Sequence, residues 1–503
     1  MALPKPESSS PGTFSRDVLT LVSGTTFAQV ITILSTPVIT RLFGPEAFGL
    51  LALFTTIVGI VTIAACLRYE LAIMLPKSDE EAVNVFGLCL VILVIISLLS
   101  VPVILLTHTF IEQSLRAPQI GPFLWLIPPM IFLSGAFLAL NYWNTRTRQF
   151  YRLAIAQMMR SCSTTGTQLG MGIFGFASGG VLVGASVLGQ FVSTVVLGIQ
   201  ILRDHYSYFR KNITREGMLA AFREYRNFPK YDLWSALLNN ISSTLPIFVL
   251  SMYFTSATLG FYSLGLMVLQ LPLNLIGNAI GQVFFQKAAE TKNISPQKFR
   301  DTVESTLKPL ILLAFFPTLV FILIGPQLFG VVFGNKWLEA GNYARYLSVW
   351  IAVAFVVSPI NSIINIFQKQ KFGLIINITQ IVFRIVALLV GAIFGSALLA
   401  IVLFSLVGVI TNIIPLLYMF RLSDIPFVKP AKILLEYCLL SIPFGIMIML
   451  IQYAGFISNL ELVVVTFLFT VGYYVLAIRR DPEMFRLLKS VISQVPVLKR
   501  CFP

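Results

Sequence analysis

Along this chain, apolar stretches of about 20 residues or more recur, separated by short polar gaps. A hydrocarbon core of ~30 Å is crossed by roughly 20 apolar residues of helix. The pattern predicts about fourteen membrane-spanning helices, over 17–42, 46–76, 83–106, 121–143, 153–175, 178–201, 229–254, 258–285, 303–333, 343–368, 372–394, 397–420, 430–454 and 459–479. Local signals support several starts. Ser78-Asp-Glu-Glu81 reads as a capping box before the third span. Ser295-Pro296 and Asp481-Pro482 each set a capping residue before a proline at the first helical position. The first span is too long for a cleavable leader and is expected to be retained.

The predicted fold is therefore an all-α polytopic membrane protein. Of the residues, 57% are hydrophobic and 11% charged, where a soluble domain carries about 25% charged residues. The formal charge is +15, yet the basic residues form no nucleic-acid face. They crowd into alternate gaps. With the N-terminus inside, cytoplasmic segments hold 29 of the 36 Lys and Arg, and external loops hold four, Arg41, Arg116, Lys336 and Arg345. The positive-inside rule then places both termini in the cytoplasm. The basic linker 202–228 carries Met218, Leu219, Phe222 and Tyr225 at helical spacing. It reads either as a helix on the inner leaflet or as a solvated connector, and Met484–Leu498 reads similarly. Four of the five cysteines lie within apolar runs, with no Cys-x-x-Cys, so they read as core residues.

The spans carry an internal echo. Arg41–Leu53 joins spans one and two, and Tyr253–Leu264 joins spans seven and eight. Phe43, Phe48 and Gly49 match Phe254, Leu259 and Gly260. Arg148, Gln157 and Arg160 echo Lys371, Gln380 and Arg384, and Phe174-Gly175 echoes Phe394-Gly395. The expected organisation is a cytoplasmic tail (1–16), an N-lobe of six helices (17–201), the amphipathic linker (202–228) and a C-lobe of six helices (229–420). The lobes are related by pseudo-twofold symmetry. Two appended helices (421–479) and an amphipathic cytoplasmic tail (480–503) complete the chain. Such halves rock about a site between them in transporters.

A charge inside a bilayer is costly, so Arg68, Glu70, Arg160 and Arg384 are candidate functional residues. Glu70 and Arg160 fall at similar depth. Arg68 and Glu70 are two residues apart and on a helix face different ways. The expectation is that Glu70 faces Arg160 while Arg68 faces a cavity. Snorkelling of each Arg to the inner head groups is the alternative. Amides form helical stripes: Gln270, Asn274, Asn278, Gln282 and Gln286; Asn377 and Gln380 with Arg384; Gln157 with Arg160, Thr164 and Gln168; and Asn361, Asn365 and Gln368. An unpaired amide in hydrocarbon is costly, so these faces should line a cavity or bond to other helices. Amides suit sugar hydroxyls, and a guanidinium suits phosphate. Arg68, Arg160 and Arg384 are the candidate diphosphate contacts. Gln157, Gln270, Asn274, Asn278, Asn361, Asn365, Asn377 and Gln380 are the candidate glycan contacts, and Glu70 the candidate for ion coupling. No catalytic residue, metal ligand or cofactor site is expected. His108 and His205 lie apart, and neither a phosphate-binding Gly-rich loop nor a nucleophile motif is visible.

Several short motifs resemble bacterial polysaccharide transporters. These are Thr40-Arg-Leu-Phe-Gly-Pro-x-x-Phe48-Gly49, Leu67-Arg-Tyr-Glu-x-Ala-Ile-x-Leu-Pro76, Tyr225-Arg-Asn-Phe-Pro-Lys230, Leu259-Gly-x-Tyr262 and Val283-Phe-Phe-Gln286. They are similar to Wzx-type oligosaccharide flippases of the multidrug/oligosaccharidyl-lipid/polysaccharide exporter superfamily, over roughly 15–420. The resemblance implies two six-helix lobes in the bacterial inner membrane. It implies flipping of undecaprenyl-diphosphate-linked oligosaccharide, such as an O-antigen repeat unit, to the outer leaflet by alternating access, with H+ or Na+ as coupling ion. Partners would be the lipid-linked oligosaccharide, membrane lipids and polysaccharide polymerase machinery, with no nucleic acid. Two other readings stay open. One is an ion-coupled small-molecule exporter of the same fold, against which the scarcity of intramembrane carboxylates argues. The other is a membrane glycan polymerase or ligase, against which the short external loops argue.

Overall fold

The computed structural model describes residues 11–480, with side chains from Gly24 onward except Ala279, Asn293 and Gln370. The expectations for residues 1–10 and 481–503, including the amphipathic C-terminal tail, lie outside the described residues. Among the described residues every regular element is helical. They fall into two compact units that divide between Ser263 and Leu264.

The first unit begins with α1 (Pro11–Leu42) and α2 (Pro45–Ala64), followed by the single turn α3 (Tyr69–Ala72) and the long α4 (Asp79–Ser114). Then come α5 (Gly121–Leu124), α6 (Ile127–Arg146), α7 (Phe150–Ile173) and α8 (Gly179–Asn212). The linker helix α9 (Arg215–Glu224), α10 (Leu233–Tyr253) and the start of α11 (Ser256–Pro272) complete it. The second unit holds the rest of α11, then α12 (Asn278–Ile294), α13 (Pro296–Phe333), α14 (Leu338–Ile360) and α15 (Ser362–Ile366). It ends with α16 (Gln370–Ile393), α17 (Ala397–Leu422), α18 (Val428–Ala454) and α19 (Asn459–Arg480).

Eleven of these helices, some with an adjoining turn, are long and apolar enough to cross a membrane. The pair α5–α6, bent by 58°, makes a twelfth. The two remaining expected spans, 17–42 and 153–175, form α1 and α7, which pack against each other but are not among the helices apolar enough to cross. Ser161 of α7 donates to the Ala28 carbonyl of α1 at 2.9 Å, so part of their polar surface is spent in this contact.

Helix starts follow the sequence signals. Ser78, Ser295 and Ser396 each accept from the backbone N–H three residues on, at 3.1–3.2 Å. Ser458 and Glu461 form a reciprocal capping box. Arg146 holds the turn that ends the second span. Its guanidinium donates to the carbonyls of Ile73, Pro76 and Ser78 and to Asp79, at 3.0–3.2 Å. The Ser78 carbonyl also accepts from the Ala82 N–H at 3.2 Å, so Arg146 ties the turn to the first turn of α4.

The linker is not a simple connector. α8 runs on to Asn212, and α9 docks on α4. Asn84 accepts from the Thr214 N–H at 2.8 Å and donates to the Asn212 carbonyl at 3.1 Å. Tyr69 donates to the Phe222 carbonyl at 3.0 Å and stacks on the Phe222 ring. The appended pair α18–α19 packs on α13, with Phe316 stacked on Tyr473 at 4.4 Å and Tyr474 bonded to the Leu313 carbonyl. α10 packs on α2 in the first unit. The division between Ser263 and Leu264 falls inside the lobe expected at 229–420; the lobes were expected from repetition, which need not coincide with packing.

The backbone carries the repeat more sharply than the side chains do. Arg148 (φ 57°) and Gln368 (φ 54°) are left-handed residues, each preceding a helix of 24 residues. Both helices are followed by a left-handed glycine, Gly175 or Gly395. The bonds Gln149 N–H to Asn144 O and Lys369 N–H to Ile364 O are both 2.8 Å. All of these pairs are 220 residues apart. In that register Gln157 corresponds to Asn377, and Arg160 to Gln380. The echo of Arg160 in Arg384 is thus displaced by one helical turn. A polar stripe repeats every three or four residues and can slip by a turn, whereas the turns that bound the helix cannot.

Candidate functional site

The first candidate cluster sits where the second span breaks. Leu67 (φ 50°) and Arg68 (φ 68°) are both left-handed, a costly conformation for residues with a side chain. The helix stops at Ala64 and restarts as α3, so helical spacing no longer separates Arg68 from Glu70. Arg68 donates from Nε to Asp232 at 2.7 Å and from a terminal nitrogen to Glu70 at 3.4 Å. Asp232 ends a one-turn π-helix, Phe228–Asp232, at the start of the seventh span. The expected pairing of Glu70 with Arg160 is therefore replaced by pairing with Arg68. The physical reason is the left-handed break, which turns two residues of one span toward a common point. Glu70 is almost fully buried, at 2% exposure, and its second oxygen has no hydrogen-bond partner among the described residues. Asp232 is far more open, at 43%.

Arg160 lies exposed on α7, with Gln157 half-buried one turn earlier. Arg384 is buried. Its guanidinium lies over the rings of Trp350 and Phe404, at 5.2 and 5.1 Å. That placement suits a planar, weakly hydrated cation.

The second unit contains a polar cavity of about 490 Å³. Four of the expected amides converge on it: Asn361, Asn365, Asn377 and Gln380. They come from the end of α14, from α15 and from α16. Ser358, Thr411 and Asn412 join them, three contacts that the stripes did not reveal. Thr411-Asn412 was legible as a polar pair interrupting the apolar twelfth span. Gln380 donates to Thr411 at 3.2 Å, which ties α16 to α17 across the cavity. Ile364, Leu374 and Pro415 supply apolar walls. Each amide offers donors and an acceptor, so the lining matches neutral groups that both give and take hydrogen bonds. The volume falls within the range of about 300–1,000 Å³ usual for small-ligand sites.

The span-eight amides are not part of this cavity. Asn274, Asn278, Gln282 and Gln286 are exposed, and Gln270 is half-buried. Asn278 donates back to the Asn274 carbonyl at 3.3 Å, and Gln286 donates to Glu290. Among the described residues, no cluster of three or more His, Cys, Asp or Glu could hold a metal ion.

Solved structures of similar architecture include a flippase and a multidrug transporter. The chain is similar in structure to lipid II flippase MurJ in an inward closed conformation, with a TM-score of 0.65 and 12% identity. That likeness covers 92% of this chain and 99% of the other. An inward-facing multidrug resistance MATE family transporter of the MOP superfamily matches with a TM-score of 0.61 and 16% identity, over 81% of this chain and 98% of that one. At these identities the likeness shows the fold alone. In sequence, the chain is similar to the teichuronic acid biosynthesis protein TuaB of Bacillus subtilis (strain 168), at 21% identity over 193 residues. That stretch covers 38% of this chain and 40% of the relative's own length. A family model described as polysaccharide biosynthesis protein matches residues 38–342, more than half of the chain. The chain thus belongs to the polysaccharide biosynthesis protein family.

Proposed function

We propose that this protein flips undecaprenyl-diphosphate-linked oligosaccharide from the inner to the outer leaflet of a bacterial inner membrane by alternating access. The observation that carries this reading is the amide cavity of the second unit, in a chain of a polysaccharide family. Asn361, Asn365, Asn377 and Gln380, with Thr411 and Asn412, present neutral hydrogen-bonding groups suited to sugar hydroxyls. Gln157, Gln270, Asn274 and Asn278 remain glycan contacts in the proposal, offered by exposed or half-buried faces of their helices. The diphosphate falls to the guanidinium groups. Arg160 is exposed and ready for it. Arg68 would exchange its carboxylate partners for phosphate, and Arg384 would leave its aromatic clamp in another conformation. Glu70, buried beside Arg68, is the coupling group for H+ or Na+. A proton on Glu70 weakens its hold on Arg68, which links ion binding to phosphate binding.

The likeness to a multidrug transporter supports a second reading, ion-coupled export of a small molecule. The two are separated by affinity. Purified protein is titrated with a fluorescent lipid diphosphate carrying a glycan, and with the same lipid diphosphate lacking it. The proposal expects Asn377→Ala with Gln380→Ala to weaken binding of the glycan-bearing form by about tenfold. The bare lipid diphosphate should bind as before. One neutral hydrogen bond is worth ~0.5–1.5 kcal/mol, so two account for that factor. Equal weakening of both ligands, or of neither, overturns the glycan assignment.

A further inference from the structure

We propose that the second unit holds one anionic phospholipid of the inner leaflet in a groove between α13, α14, α17 and α18. Two adjoining cavities make the site. The first is an apolar groove of about 610 Å³, walled by Leu307 and Ile311 of α13, Val353 of α14, Leu416 of α17 and Leu434 of α18. Thr318 is its sole polar side chain, and its hydroxyl is spent on the Ala314 carbonyl at 2.7 Å. The groove thus offers nothing to a sugar and suits an acyl chain.

At Phe420 and Phe427 it meets a second cavity of about 350 Å³, lined by Arg300, Arg421 and Asp424. Glu304 accepts from both Arg300 and Lys429 at 3.0 Å, so one carboxylate serves two cations. Arg421 is exposed and makes no ion pair among the described residues. Asp424 is the other acid at this mouth, and the cations outnumber the acids. The mouth lies at the loop between α17 and α18, on the side expected in the cytoplasm. Inner-leaflet phosphates lie at that level and attract basic side chains.

The occupant differs from the transported lipid. The amide cavity uses Ala354, Val357 and Ser358 of α14 and Thr411, Asn412 and Pro415 of α17. The groove uses Val349, Val353 and Val356 of α14 and Ile413, Leu416 and Leu417 of α17. These are opposite faces of the same two helices. A molecule with its sugar in one and its tail in the other would have to pass through the layer where α14 and α17 pack. The groove also gives the appended pair a purpose. α18 supplies its fourth wall and is fixed in place by the Phe316, Phe444 and Tyr473 rings.

The test is native mass spectrometry of the full chain in detergent. Phosphatidylglycerol, phosphatidylethanolamine of the same acyl chains, and undecaprenyl phosphate are added in turn. The proposal expects one phosphatidylglycerol retained, with phosphatidylethanolamine held more weakly. Arg421→Gln should lower phosphatidylglycerol retention by about fivefold, as for loss of one exposed charge contact. Ala431→Trp, in the groove wall, should remove it. If that variant misfolds, Arg421→Gln, at an exposed side chain, still decides. Equal retention of the two phospholipids, no effect of Arg421→Gln, or preferential displacement by undecaprenyl phosphate would overturn the proposal.

Discussion

At the scale of residues, the Arg68 cluster sits on two successive left-handed residues, Leu67 and Arg68. Arg68 leans on two carboxylates of very different burial, and that difference sets the energetics. Removing a partner from a buried ion costs about 3–5 kcal/mol, whereas exposed pairs are worth ~1 kcal/mol or less. Arg68→Ala is therefore expected to lower stability by about 3 kcal/mol, because it strands Glu70. Asp232→Ala should cost about 1 kcal/mol or less. Arg68→Met combined with Glu70→Gln should recover most of the first loss. Thermal melts in detergent check this order, and equal losses for the two single variants would contradict it. The sequence pointed to Arg68 and Glu70 through the rarity of charge within a span. It could not give their partnership, because nothing in Leu67-Arg68 marks a left-handed break as a glycine would. The amide cavity was more legible. Asn361, Asn365, Asn377 and Gln380 share helical faces, and burial of apolar surface turns such faces inward or toward water. Thr411 and Asn412 were overlooked because two polar residues do not make a stripe.

At the scale of elements, one close helix crossing joins the starts of α2 and α11. A Cβ on Gly49 would overlap the Ser256 carbonyl, and a Cβ on Gly260 would overlap the Pro45 carbonyl. Gly49 and Gly260 are 211 residues apart, as are Pro45 and Ser256. The contact is thus reciprocal, each glycine facing the carbonyl four residues before the other. Backbone cannot yield as a side-chain tip does, and overpacking costs about 1–3 kcal/mol. Gly49→Ala and Gly260→Ala are each expected to destabilise by that amount in detergent melts. Gly59→Ala, on the same helix with open space around it, should be neutral or slightly stabilising. Three similar results would contradict the crossing. Helix existence was legible because hydropathy and length suffice for it. α1 and α7 are helices where spans were expected, but they are not among those apolar enough to cross a membrane, and part of each faces the other. The repeat was legible at its turns, Phe174-Gly175 and Phe394-Gly395, and misregistered along its amide stripes.

At the scale of the whole molecule, the claims are orientation and transport. The charge count predicts both termini inside. A single cysteine at Ser178 should label with an impermeant maleimide from outside only, and one at Lys292 from inside only, each in a variant whose exposed Cys162 is removed. Reversed labelling would invert the proposed direction of flipping. The central claim, that the cargo is a lipid-linked glycan, is tested most directly in sealed liposomes. Protein is reconstituted with a fluorescent undecaprenyl-diphosphate oligosaccharide, and an impermeant reagent reads how much of it has changed leaflet. The account predicts leaflet exchange that depends on the protein, is strongly reduced by Asn377→Ala with Gln380→Ala, and responds to an imposed H+ or Na+ gradient. Protein-dependent efflux of a small cationic dye, with the lipid-linked glycan left in its original leaflet, would contradict it.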